Sequence, residues 1–160
     1  MRSVTRSLLG WPSAVAGSKL PAPGQEPSGA VMESGFSVNQ RALPGAVPAV
    51  RAAVSGFLDP YDLSPTLVAD VGLAVTEACA NVVRHAYPDG PGELRCEAAV
   101  ADDEVIIRVS DDGCGVDARS CQPGLGLGLR LMGMLAQSAA IARSDGQTVV
   151  TLRFSRDPAT

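Results

Sequence analysis

The sequence predicts an α+β fold: a two-layer sandwich of one mostly antiparallel, mixed sheet with helices on one face. Three observations carry this. Residues 50–58 and 67–82 place apolar side chains at steps of three and four, the helical period. Residues 94–100 and 105–109, and later 139–142 and 148–154, form two pairs of extended segments joined by short polar turns. Helical and extended segments do not alternate regularly, so the helices gather on one side of the sheet.

Taken in order, the elements are a short strand near residues 36–38, two helices, a hairpin, a helix and a second hairpin. Pro48 suits the first turn of a helix that carries Val50, Val54, Phe57 and Leu58 and ends at Asp59-Pro60. In the second helix Ser64 is the cap and Pro65 the first residue. Its stripe of Leu67, Val71, Ala74, Val75, Ala78 and Val82 runs about six turns until Tyr87-Pro88-Asp89-Gly90. Leu94, Cys96, Ala98 and Val100 alternate with charged residues, and Val105, Ile107 and Val109 answer them across the short loop Ala101-Asp102-Asp103. A glycine-rich stretch leads into a helix near residues 128–137, in which Met132 and Met134 are both expected in the core. Asp145-Gly146 centres the last hairpin. Residues 1–33, with Pro12, Pro21, Pro23, Pro27 and little periodicity, read as a disordered extension, and residues 34–157 as one domain.

Composition narrows the function. The chain has 160 residues, 46% of them hydrophobic, and a formal net charge of -4. With no basic run it is poorly suited to nucleic acid. Of the 13 Lys+Arg, the only lysine is Lys19, which excludes a P-loop and a Schiff-base lysine in the folded body. One histidine and four cysteines without a CxxC spacing make a poor zinc site, and Cys79 and Cys96 read as reduced core thiols. Gly10, Pro12 and Ser13 break the apolar stretch that a secretory leader needs, and no run approaches the roughly 18 apolar residues of a membrane span. The expected location is cytoplasmic.

Three clusters carry chemistry. The first is Glu77-Ala78-Cys79-Ala80-Asn81-Val82-Val83-Arg84-His85 on the second helix. Glu77 and Asn81 share a face, and Arg84 and His85 extend it by a turn. A carboxylate, an amide oxygen and a cation in a row suit a magnesium-phosphate ligand. The plain alternative is a solvated helix face. The second is Asp111-Asp112-Gly113-Cys114-Gly115 at the end of a strand. There the glycines permit close approach and the carboxylate can accept from an exocyclic amine; the alternative is an ordinary turn. The third is Gly124-Leu125-Gly126-Leu127-Gly128-Leu129-Arg130, whose free amides at a helix start can cradle phosphates without lysine; the alternative is a linker.

Together, in this order and spacing, the clusters resemble the N box, D-x-G-x-G box and second glycine box of the histidine kinase-like (GHKL) ATPase domain. They are most similar to those of bacterial anti-sigma-factor serine/threonine kinases. The resemblance covers about residues 36–154 and implies a Bergerat-type ATP-binding fold with ATP and Mg2+ as ligands. It implies that Asn81 coordinates magnesium, that Glu77 is the general base and that Asp111 selects adenine. It also implies that Gly113 and Gly115 admit the purine, that Gly126 and Gly128 line the phosphates and that Arg84 contacts a phosphate. The implied partners are a sigma factor and a STAS-domain antagonist phosphorylated on serine, with a homodimer as a further expectation. The short segment between the glycine boxes implies a small nucleotide lid. A non-catalytic ATP-binding partner-switching module of the same fold is the alternative. An S-adenosylmethionine-dependent methyltransferase fits less well, because a second glycine box and a hairpin follow the first.

Overall fold

The computed structural model describes residues 4–7, 32–114 and 125–156. They form a six-stranded sheet in the order β1-β2-β3-β4-β6-β5 with three helices. The strands are β1 (Val4–Ser7), β2 (Met32–Arg41), β3 (Glu93–Ala101), β4 (Glu104–Asp111), β5 (Ser138–Ser144) and β6 (Gln147–Ser155). The helices are α1 (Ala46–Leu58), α2 (Pro65–Asn81) and α3 (Leu125–Leu135). All five strand pairings are antiparallel, so the sheet is not mixed.

Two differences from expectation concern the N-terminal half. Val4–Ser7, within the stretch expected to be disordered, pair with Gly35–Val38 register partners on β2. A strand's free edge of N–H and C=O groups can be satisfied by any extended segment, without a patterned sequence. With β1 on one side and β3 on the other, β2 spans ten residues rather than three.

The core lies between sheet and helices. Val38, Leu94, Cys96, Ala98, Val100, Val105, Ile107, Val109, Leu152 and Phe154 face Val50, Val54, Val71, Val75 and Ala78. Phe36 stacks on Phe57, with ring centroids 5.3 Å apart. Cys79 and Cys96 are buried free thiols, and burial pushes Cys79 up to about 12. Met132 is fully buried, whereas Met134 is 83% exposed, because two positions on a helix lie on different faces.

Ser64 Oγ accepts from the Leu67 N–H at 3.1 Å, with Pro65 at the first helical position, as the sequence signals. The last turn differs: Val82–Ala86 form a π turn. The combined helix, Pro65–Ala86, is long and apolar enough to cross a membrane, but it is the core helix of this sheet. Both hairpins have two-residue turns, and Asp145 and Gly146 have the positive φ values, 52° and 79°, that a tight hairpin favours.

Ile107→Ala should lower stability by about 2–5 kcal/mol, and Ser64→Ala by about 1 kcal/mol. Urea denaturation measures both. An Ile107→Ala loss no larger than that of Ser64→Ala would contradict the assignment of Ile107 to the centre of the core.

Candidate active site

The end of α2, the end of β4 and the start of α3 meet at one place. Glu77 and Asn81 lie one turn apart on α2, both half-buried, while Val71, Val75, Ala78 and Val82 hold the helix to the core. Helix α3 crosses directly over the pair. A methyl group at Gly128 would sit 3.2 Å from Asn81 Nδ2, 3.3 Å from Glu77 Oε2 and 3.4 Å from Asn81 Oδ1. The bare Cα of Gly128 is what permits this approach.

Gly126 and Gly128 lie inside the first turns of α3 rather than in a loop before a helix near residues 128–137. Leucine at every second position is a good helix former, and packing on α2 offsets the low propensity of the glycines. The first four N–H groups of α3 have no intrahelical acceptor, and the positive end of its dipole lies beside Asn81. An amide oxygen and a carboxylate thus lie against the first turn of α3. This donor set fits a metal-bound polyphosphate.

The π turn brings the second cluster onto α2. The Ala86 carbonyl accepts from the Cys114 N–H at 2.8 Å, and the His85 carbonyl from Cys114 Sγ at 3.2 Å. Gly113 lies against Ala86 so closely that any Cβ would overlap the Ala86 carbonyl oxygen. Tyr87 closes the joint. Its hydroxyl donates to the Glu93 carbonyl and accepts from the Asp112 N–H at 3.0 Å, and its ring packs on Gly92. Burial raises the Tyr87 phenol above its ordinary value.

Asp111 ends β4 at 8% exposure, and its Oδ1 accepts from the Gly113 N–H at 2.9 Å. Burial pushes its carboxyl above the ordinary value and the Asp112 charge adds to this, while the Gly113 N–H and the Arg143 charge oppose it. Arg143 donates to Thr148 Oγ1 at 3.1 Å and to the Gly113 carbonyl at 3.2 Å. Gln147 donates to Asp112 Oδ1 at 3.3 Å.

The structure therefore brings Glu77, Asn81 and Gly128 together, and Asp111 and Gly113 together, with the α2 terminus as the link. Arg84 is exposed on the π turn, and Gly115 lies outside the described residues. Tyr87, Arg143 and Thr148 were missed from sequence. Tyr87 reads from sequence as a helix stop and as the end of the stretch resembling the N box, with no contact of its own assigned; the two-residue Asp145–Gly146 turn is the signal that sets Arg143 opposite Thr148. A cavity of about 350 Å³ between α1 and α2, lined by Arg51, Val54, Leu58, Val68 and Gly72 among others, shares no residue with this site.

The fold and the site define an α+β domain in which the end of α2 meets the start of α3 and the end of β4. A sequence model of the histidine kinase-like ATPase domain matches residues 40–154, and the chain belongs to that family. Its relatives include the serine-protein kinase RsbW of Bacillus licheniformis, 33% identical over 129 residues, covering 71% of this chain and 81% of that protein. The serine-protein kinase RsbW of Bacillus cereus (strain Q1) is 26% identical over 123 residues, 68% of this chain and 77% of that one. The crystal structure of the RsbU and RsbW domains of Rv1364c from Mycobacterium tuberculosis superposes with a TM-score of 0.58 at 27% identity, over 77% of this chain and 33% of that longer one.

The raised Asp111 carboxyl sets a pH signature. Its raised value favours the folded protein at low pH, and this contribution is lost as pH rises from the ordinary carboxylate value of 3.8 through the folded value. Asp111→Asn, which cannot ionise, should therefore gain in Tm relative to the parent as pH is raised from about 4 to 7. A difference in Tm independent of pH would contradict this.

Proposed function

We propose that this protein is an ATP-dependent anti-sigma-factor serine kinase: a cytoplasmic regulator that sequesters a sigma factor and phosphorylates a serine of a STAS-type antagonist. The observation that carries the reading is the Glu77–Asn81 pair lying under the amide-rich start of α3, with no Cβ at Gly128 to separate them. Homology to proteins named serine-protein kinase supports the reaction class. The partners follow from the box-by-box resemblance to anti-sigma kinases.

In this reading Asp111 accepts the exocyclic amine of adenine, and Gly113 and Gly115 leave room for the ring. The N–H groups around Gly126 and Gly128 bind phosphate oxygens, and Arg84 adds a cation at the outer phosphate. Asn81 Oδ1 is the protein ligand for Mg2+, which when bound neutralises phosphate charge. Glu77 takes the proton of the incoming serine hydroxyl as that oxygen bonds to the γ-phosphorus. The bond from the γ-phosphorus to the β-γ bridging oxygen breaks, and ADP leaves with that oxygen. Positioning and charge neutralisation dominate such a transfer.

Radiolabelled phosphate transfer to a panel of STAS-domain proteins tests the proposal. Glu77→Ala should keep ATP binding while slowing transfer by about 10²–10⁴-fold. Asn81→Ala should remove the magnesium dependence of ATP binding. Tight ATP binding with no transfer to any antagonist would favour the non-catalytic module instead. In a second measurement, Gly128→Ala should keep or raise Tm, since alanine favours a helix by up to about 1 kcal/mol, yet weaken ATP binding by crowding Glu77 and Asn81. Unchanged ATP affinity in Gly128→Ala would count against the phosphate end being there.

A further inference from the structure

We infer that the cavity between α1 and α2 is a binding site for a small amphiphilic carboxylate, with its head on Arg51 and its apolar chain along the groove. The inference goes beyond the nucleotide reading and does not rest on it. Helical spacing makes the cavity. Arg51, Ser55 and Leu58 recur at steps of four and three on α1, and Pro65, Ala69, Gly72 and Thr76 do so on α2, so each set lies on one side of its helix. At Ser55, Ala69 and Gly72 the side chains are small or absent, and a cavity of about 350 Å³ lies between the helices. Protein interiors are otherwise close-packed, with few voids larger than a water molecule.

Val54, Leu58 and Val71 line the cavity from the core side, each buried, and Val68 adds to the apolar wall. The charged feature is Arg51. Its guanidinium lies over the bare Cα of Gly72, where a Cβ would come 3.3 Å from Nε and 3.6 Å from Nη2. Nη1 donates to Thr76 Oγ1 at 3.4 Å, longer than an ordinary N–H···O bond, and the Thr76 hydroxyl donates in turn to the Gly72 carbonyl at 2.8 Å. Among the described residues the ion pairs are Arg95–Glu97 and Arg153–Glu104, and Arg51 is in neither. A guanidinium carries five N–H donors and keeps its charge, so one long bond leaves most of its capacity open to a ligand.

The cavity thus offers a cation at one end and an apolar trough beside it. A carboxylate answers the cation with two parallel, charge-assisted hydrogen bonds. From Gly72 to Pro65 the groove follows two turns of α2, about 10 Å, which matches a chain of roughly eight carbons. Laying such a chain against Leu58 and Val68 removes apolar surface from water on both partners. An inorganic anion gains from the cation alone, and a neutral alcohol from the trough alone. The combination selects a monocarboxylate with a straight apolar tail, and the volume lies within the range of small-molecule sites.

Titration of the full chain with octanoate, followed by the backbone amide signals in nitrogen–proton correlation NMR spectra, tests this. Octanoate should move the Ser55, Val68 and Gly72 amides together. Acetate and octanol, the head and the tail alone, should each bind at least about tenfold more weakly. Arg51→Gln should weaken octanoate by about tenfold, the worth of a charge-assisted hydrogen bond, and leave octanol unchanged. Ala69→Phe, which sets a ring in the groove from an exposed position, should abolish octanoate binding while Tm is kept. Octanoate bound no more tightly than octanol, or as tightly by Arg51→Gln as by the parent, overturns the inference. Should Arg51→Gln fail to fold, parent-like octanoate binding in Ala69→Phe overturns it equally. Shifts confined to amides outside α1 and α2, or none below the concentration at which octanoate forms micelles, overturn it as well.

Discussion

Helix α2 ends in a π turn, and the carbonyl groups at that wide turn hold the loop that follows β4. A helix end leaves its last carbonyls without partners, and most helices satisfy them with water or a glycine cap. Here the Ala86 and His85 carbonyls accept from Cys114, and the Tyr87 hydroxyl accepts from the Asp112 N–H. This joint fixes Asp111 relative to Asn81, although they come from different layers of the sandwich. A regular last turn would carry these carbonyls in other directions, which is a physical reason for a π turn at this position.

Close backbone approach is the second requirement. Gly113 and Gly128 are each placed where a side chain would meet the neighbouring element: the Ala86 carbonyl in one case, the Glu77 and Asn81 side chains in the other. Both glycines cost conformational entropy and, for Gly128, helix propensity. The contacts they allow hold three elements together, with the first turn of α3 against the Glu77 carboxylate and the Asn81 amide.

Two buried carboxylates show how differently the fold treats structure and site. Glu97 on β3 lies on the sheet face away from the helices, opposite Arg108 and with Arg95 Nη2 at 2.6 Å. Burial raises it, but two guanidinium groups oppose the shift. Asp111 has a main-chain N–H as its direct partner and only the charge of Arg143 to help. A carboxylate so weakly compensated within the protein is costly to bury, and departures from local consistency of this kind concentrate at functional sites.

Periodicity and capping chemistry by themselves determined α1, α2 and both hairpins, because these depend on neighbours in sequence: Ser64 with Leu67, or Asp145 with Gly146. The three boxes were legible for the same reason, each being a short run with its own local geometry. Edge pairing was not, since β1 is held by backbone bonds to β2 that any extended segment can make. Nor was the π turn, whose wider spacing is bought by the contacts of Ala86, Tyr87 and Cys114 across the two layers. The start of α3 and the exposure of Met134 were likewise decided by packing on α2. Arg143 and Thr148 gain their place beside Asp111 only through the β4–β6–β5 register, so the sequence alone determined local elements and short motifs, and tertiary pairing decided which side chains stand side by side, because strand register joins residues distant in sequence.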